Sequence, residues 1–126
     1  HPYAGQSSTV YAPQISNDGR AFPNFEGLSQ QWSSGVEYVA LFPNLLLGVH
    51  RDHCYGIILV PDGPNRTIEH VEIYYAQDAA TKSAFADMRA ANTTMWRDIL
   101  SKMCLLLKAC KKAVIPANMM AANSRL

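Results

Sequence analysis

Residues 36–75 read VEYVALFPNLLLGVHRDHCYGIILVPDGPNRTIEHVEIYY, and this segment carries most of the secondary-structure signal in the chain. It contains runs rich in β-branched and aromatic residues, which are typical of strands. Proline lacks a backbone donor, so Pro43-Asn44 should interrupt the first run, and Asp62-Gly63-Pro64-Asn65 has the composition of a turn. The runs predict antiparallel strands at Val36–Phe42, Leu45–Val49, Cys54–Val60 and Thr67–Tyr75. Such a sheet can form one wall of a cavity.

A helix is predicted after this sheet, from Ala79 to about Leu100, with Asp78 or Thr81 as its cap. Its mostly apolar stripe recurs at steps of three and four residues, with Trp96 beside it: Phe85, Met88, Asn92, Met95 and Ile99. Residues 1–34 are polar and turn-rich, so we expect a long loop region with one short element at most. The fold class is therefore α+β, an antiparallel sheet packed on a long C-terminal helix.

Composition excludes several classes of function. With 126 residues and a net charge of +1, the chain has no positive electrostatic field strong enough to attract nucleic acid. No apolar run approaches the roughly 20 residues that span a bilayer, so no membrane partner is expected. Three cysteines without a C-x-x-C pair favour reduced thiols and a cytoplasmic location. The start His1-Pro2-Tyr3 has neither an initiator Met nor a signal pattern, which favours a fragment of a longer protein.

Acidic residues are distributed unevenly along the chain. All of them lie between Asp18 and Asp98, whereas the residues after Asp98 include five basic side chains. One interpretation is a basic tail that binds an acidic partner. The other is that residues 101–126 do not belong to the reading frame of the rest.

Four motifs, taken in order, carry a family resemblance. They are Phe42-Pro43-Asn44-Leu45, Gly48-Val49-His50-Arg51-Asp52-His53, Pro64-Asn65-Arg66-Thr67, and the helical segment from Met88 to Trp96. Their order and spacing resemble the catalytic domain of Rieske non-haem iron oxygenases, the alpha subunits of ring-hydroxylating dioxygenases and related monooxygenases. The resemblance runs from about Leu28 to Leu100.

The resemblance implies a partial helix-grip (START-like) domain whose sheet wraps a helix around a mononuclear Fe(II) site. Two histidines and one carboxylate hold that iron and leave positions open for O₂ and an organic, typically aromatic, substrate. A Rieske 2Fe-2S cluster in an N-terminal domain feeds it with electrons from a reductase or ferredoxin. This chain has no cluster motif, so that domain is absent from it. Members of the family are usually homotrimers.

By the resemblance, His1-Pro2 fits the second iron-binding histidine, although a terminal residue is often frayed and without a role. The family's carboxylate lies on the helix a few residues past Trp96, where residues 101–112 contain no acid. Loss of one nucleotide shortly before Ser101 would explain this. The expected division is a partial catalytic iron-binding domain at 1–100 and an out-of-frame basic and apolar tail at 101–126.

Three further residues are candidates for substrate binding. His50 and His53 flank a strand end and turn, where they could line the cavity, position a ligand histidine, or be ordinary hairpin residues. Asp52 could orient His53 or be a turn residue. The resemblance implies that Asn44 could contact the iron pocket. The alternative is that Asn44 simply completes a Pro-Asn turn.

The expected function is therefore that of a fragment of an oxidoreductase, and the chain alone should show no turnover. Two alternatives come from other classes. One is a non-catalytic helix-grip module that binds a small ligand, and the other is a small interaction protein with a basic tail.

Overall fold

In a computed structural model, residues 3–106 are described, with side chains for residues 3–102. Five strands precede one long helix, and three 3₁₀ turns lie at Gln30–Ser33, Gln77–Ala80 and Ser83–Phe85. The strands are β1 (Tyr3–Ser8), β2 (Val36–Leu41), β3 (Leu45–Val49), β4 (His53–Pro61) and β5 (Thr67–Tyr75), and the helix is α1 (Ala86–Leu106). No helix in this described part of the chain is long and apolar enough to cross a membrane.

The strands form one antiparallel sheet in the order β1-β2-β3-β4-β5. The alternating pattern places Val71 and Ile73 of β5 in the interior and leaves His70 and Tyr74 exposed. The helix packs against the interior face. The predicted α+β fold, a sheet packed on a C-terminal helix, is confirmed.

β1 was not located by the sequence, because residues 1–34 were expected to form a long loop region with one short element at most. Its sequence YAGQSS contains no apolar alternation, and almost all of it is exposed. What makes it a strand is its register with β2, from Tyr3 opposite Leu41 to Ser8 opposite Val36. The strand therefore depends on a partner more than 25 residues away along the chain.

The helix departs from the prediction at its start and in its buried face. The 3₁₀ turns occupy its expected first residues, and α1 begins at Ala86. Met95 and Ile99 are each 38% exposed, so the predicted stripe was wrong at these positions. Trp96 lies in the buried stripe and not beside it. That stripe repeats every four residues: Met88, Asn92, Trp96 and Leu100.

The main core lies between the sheet and the second half of α1. It comprises Tyr55 and Ile57 of β4, Val71 and Ile73 of β5, and Trp96 and Leu100 of α1. A smaller cluster fixes the N-terminal loop region, since Phe22 packs on Ala79 and Met88. The Phe22 ring also lies 4.8 Å from the Tyr75 ring, measured between centroids. The loop is thereby packed onto the start of the helix.

Candidate functional site

A cavity of about 790 Å³ lies between the sheet and α1. This volume falls within the range of small-molecule sites, roughly 300–1,000 Å³. Its walls are mostly apolar, with Leu46, Ile57 and Leu100 among the lining residues. One end is aromatic: Tyr38 and Tyr55 flank Gly48 in the sheet, and Trp96 faces them from the helix. We call this the aromatic end of the cavity.

Gly48 is required by the position of the Tyr55 ring. A Cβ atom on Gly48 would lie 2.2 Å from Cζ and 2.6 Å from the hydroxyl of Tyr55, far inside normal contact distance. The ring therefore lies across the neighbouring strand, where it also contacts Trp96 at 4.6 Å between centroids. Burial raises the pKa of Tyr55 to about 12, so its hydroxyl is neutral at physiological pH.

Two stacked histidines lie behind the aromatic end. The rings of His50 and His53 are 4.5 Å apart and within 3° of parallel. They are 2% and 0% exposed. His50 lies 5.3 Å from Trp96 and about as far from Tyr38 and Tyr55, measured between ring centroids. Neither histidine lines the cavity itself, because these three aromatic rings stand between.

A chain of hydrogen bonds joins the N-terminal loop, the β3–β4 turn and the helix. The Tyr11 hydroxyl lies 2.8 Å from both carboxylate oxygens of Asp52, and it can donate to either. Asp52 Oδ1 is 2.8 Å from Nδ1 of His53. The indole Nε1–H of Trp96 donates to Nε2 of His53 over 3.0 Å. We call Tyr11, Asp52, His53 and Trp96 the buried relay.

Burial and hydrogen bonding oppose each other at Asp52. Burial alone would raise the pKa of its carboxyl group, but the hydrogen bonds from His53 and Tyr11 hold that pKa below its ordinary value. Burial, and then the hydrogen bond to Asp52, raise the pKa of Tyr11. Asp52 is therefore ionised and Tyr11 neutral at physiological pH. Of the two roles considered for Asp52, the geometry supports orientation of His53.

His50 is kept neutral by its surroundings. Burial, and to a smaller extent the neighbouring His53, lower the pKa of His50 to about 4. Its Nδ1 atom is buried and has no hydrogen-bond partner among the described residues. Buried polar atoms are normally paired, so this nitrogen is an unused hydrogen-bonding group behind the aromatic end.

Asn44 lies at the opposite end of the sheet from the two histidines. It follows Pro43 in the β2–β3 turn, and its Nδ2 donates to the Leu59 carbonyl oxygen over 3.0 Å. The five residues of β3 separate it from His50, and the six steps along this extended chain span about 20 Å. The structure thus brings His50 and His53 together but not Asn44. His1, the predicted metal ligand, lies outside the described residues.

The described residues do not form the iron site that the resemblance implies. Between residues 3 and 102 there is no group of three His, Cys, Asp or Glu side chains that could hold a metal. Asp52, His53 and His50 lie together but do not form such a group. Both ring nitrogens of His53 are already hydrogen-bonded, to Asp52 and to Trp96, so neither is free to bind a metal.

Tyr11 is the member of the buried relay that sequence reasoning missed. It lies 41 positions before Asp52, in a stretch read as loop, and no local pattern marks it. Trp96 was placed beside the apolar stripe and at the end of the helical motif, without a role of its own. Its single donor group was a signal, because a buried indole N–H normally needs an acceptor.

Comparison with known proteins gives one family. Residues 4–102 match the family model described as ring hydroxylating alpha subunit (catalytic domain). No curated protein and no solved structure gives a significant match.

Proposed function

The chain belongs to the family of ring-hydroxylating alpha subunits, through their catalytic domain, and on that premise we propose that it forms the substrate-binding wall of an oxygenase. The observation that carries the proposal is the apolar cavity between the sheet and α1. The reaction would insert oxygen from O₂ into an organic substrate held in this cavity.

The lining favours an apolar, aromatic substrate. Six of the sixteen lining residues are leucine or isoleucine, and the rings of Tyr55 and Trp96 close one end. A flat ring can pack against such faces in offset or edge-to-face geometry. The volume of about 790 Å³ leaves room for more than a single ring, so the substrate class includes fused or linked rings.

Iron and the cluster are proposed for a longer protein of which this chain is a part. A mononuclear Fe(II) held by two histidines and a carboxylate would activate O₂ there. His1 is our candidate for one of these ligands, and the other two must come from outside residues 3–102. We further propose a Rieske 2Fe-2S domain, an electron-transfer reductase or ferredoxin, a homotrimeric assembly and a cytoplasmic location.

The division of the chain at residue 100 also stays a proposal. In this view residues 1–100 are partial catalytic domain and residues 101–126 are out-of-frame sequence, which accounts for the absence of acids after Asp98. Sequencing the source gene against a close relative tests it. A continuous match through Leu126 would reject the frameshift.

Roles for the three candidate substrate-binding residues remain predictions. Asn44 is supported by its place at the rim of the sheet, close to the strand end that follows His1. His50 is supported by its unpaired Nδ1, which a substrate could reach only if the aromatic end moved. His53 is supported only indirectly, since it contacts Trp96 and Trp96 lines the cavity.

A second function, a non-catalytic module that binds a small ligand, is favoured by one observation. The cavity exists in the described residues although no metal cluster does. The two functions are separated by expressing the longer open reading frame with its flanking DNA. An oxygenase should bind iron and incorporate ¹⁸O from ¹⁸O₂ into an aromatic substrate, whereas a binding module should retain the ligand unchanged.

A further inference from the structure

We propose that Asp52 and His53 are positioning residues that lock Trp96 at the aromatic end of the cavity by holding His53 in its Nδ1-protonated tautomer. The tautomer is a property of the buried relay alone. Its consequence for substrate selection rests on the function proposed above.

The argument begins with the indole group of Trp96, which can only donate a hydrogen bond. Its Nε1 lies 3.0 Å from Nε2 of His53, so this ring nitrogen must present a lone pair. An imidazole with a free lone pair on Nε2 carries its proton on Nδ1. Free neutral histidine prefers the opposite arrangement, with the proton on Nε2, so the surroundings must impose the tautomer.

Asp52 is the group that imposes it. Its carboxylate is ionised and can only accept, and Oδ1 lies 2.8 Å from Nδ1 of His53. The Tyr11 hydroxyl holds the same carboxylate from the other side. Each group of the relay therefore has one compatible hydrogen-bonding role: Tyr11 donates, Asp52 accepts, His53 donates and accepts, and Trp96 donates.

Because its groups are buried, the relay tolerates no other placement of its protons. Asp52 and His53 are both 0% exposed and Trp96 is 7% exposed, so water cannot replace a lost partner. The stacked ring of His50, 4.5 Å away, also restricts rotation of the His53 ring. If the proton moved to Nε2, two N–H groups would face each other and the indole would have to leave.

Trp96 is the link to the cavity. It contacts Tyr55 at 4.6 Å on the aromatic end and shields His50 behind it. A displaced indole would open the space in front of the two histidines and lengthen the cavity. The relay would thereby set how far an apolar substrate can enter, although Asp52 and His53 never touch it.

The direct test is ¹⁵N NMR of the full 126-residue chain at pH 7.5, with histidine and tryptophan labelled. We expect His53 to show a protonated Nδ1 and a bare Nε2, and the Trp96 indole proton to exchange slowly with solvent. Signals are assigned from His53→Gln and Trp32→Phe. A His53 that is Nε2-protonated, or that averages both tautomers, would overturn the proposal.

Two variants of the relay sharpen the test. Asp52→Asn keeps the shape but supplies an amide N–H that can donate to Nδ1, which permits the wrong tautomer. We expect the Trp96 indole proton to exchange at least about tenfold faster in it. Tyr11→Phe leaves the carboxylate in place and should keep the His53 tautomer. A purely structural Asp52 would instead leave the tautomer unchanged in both variants, which would contradict the proposal.

A ligand arm keeps this result separate from the function proposed above. Naphthalene and the longer biphenyl are titrated into the chain and followed through the indole signal of Trp96. We expect the affinity for biphenyl, relative to that for naphthalene, to be higher in Asp52→Asn than in the unaltered chain. An unchanged ratio of the two affinities would reject the role in substrate selection. If neither compound binds while His53 has the expected tautomer, the proposed aromatic substrate class is wrong. The proposal that Asp52 and His53 position Trp96 is then still supported.

Discussion

Substitution of Gly48 by alanine should test the packing at the aromatic end of the cavity. The added Cβ would lie 2.2 Å from Cζ of Tyr55 and 2.5 Å from Cε1, so the ring must move by more than 1 Å to restore contact distance. The ring is 8% exposed and already contacts Trp96, so it can move only by giving up that contact or by entering the cavity that it lines. Overpacking of this kind costs about 1–3 kcal/mol.

Gly56→Ala is the matched control, because Gly56 lies in the adjacent strand of the same sheet. Its added Cβ would meet only Leu47 at 3.7 Å and Leu45 at 3.9 Å, which are ordinary contacts. Alanine should therefore be neutral or stabilise by up to about 1 kcal/mol, since glycine weakens a strand interior. Only Gly48→Ala is therefore expected to lower the stability.

Urea unfolding of the full chain, followed by circular dichroism at 25 °C, measures both effects. A double-mutant cycle identifies the cause: in a Tyr55→Leu background, the cost of Gly48→Ala should fall by at least about 1 kcal/mol. The reasoning is refuted if Gly48→Ala is as harmless as Gly56→Ala. It is also refuted if the cost of Gly48→Ala is the same with and without the Tyr55 ring.

Three more predictions follow from the described contacts. His50 has an ordinary pKa of 6.5 that is lowered to about 4 in the fold, so its contribution to stability is full above pH 6.5 and is lost as pH falls towards 4. The loss should be about 1–3 kcal/mol, visible as a lower urea midpoint at pH 5 than at pH 7.5. This loss of stability between pH 7.5 and pH 5 should shrink in His50→Gln and persist in His70→Gln, the exposed control. An equal loss in the unaltered chain and in both variants would contradict the burial argument. Phe22→Ala should destabilise by about 3–5 kcal/mol and make residues 9–34 more sensitive to limited proteolysis, and an unchanged cleavage rate would show that Phe22 does not hold this loop. The chain alone, given iron, dithionite and an aromatic substrate, should yield no hydroxylated product by mass spectrometry, whereas measurable turnover would mean that its own residues complete an iron site.

The strands that could be predicted are those with a local signal. β2 to β5 combine β-branched runs with turn residues between them, and their predicted bounds differ from the observed ones by no more than one residue. β1 could not be located from the sequence, because its residues have no strand pattern and it is their pairing with β2 that makes them a strand. Hydrophobic spacing also could not choose between the two faces of α1, because Met95 and Ile99 are as apolar as the buried Met88 and Leu100.

The candidate site was predictable only where its residues are neighbours along the chain. His50, Asp52 and His53 share one turn, so their proximity follows from the sequence. The contacts that give them a role come from distant elements: Tyr11 lies 41 residues before Asp52, and Trp96 lies 43 residues after His53. Such contacts depend on how the loop and helix pack on the sheet, which no local pattern encodes.

The most direct test of the proposed function is an ¹⁸O₂ experiment on the longer protein proposed above, expressed with Fe(II) and supplied with reductant. We predict that an apolar aromatic compound which binds beside Trp96 is recovered with ¹⁸O attached, and that Gly48→Ala reduces this yield. Recovery of the bound compound without ¹⁸O, from a protein that holds no iron, would contradict an oxygenase and leave a ligand-binding module.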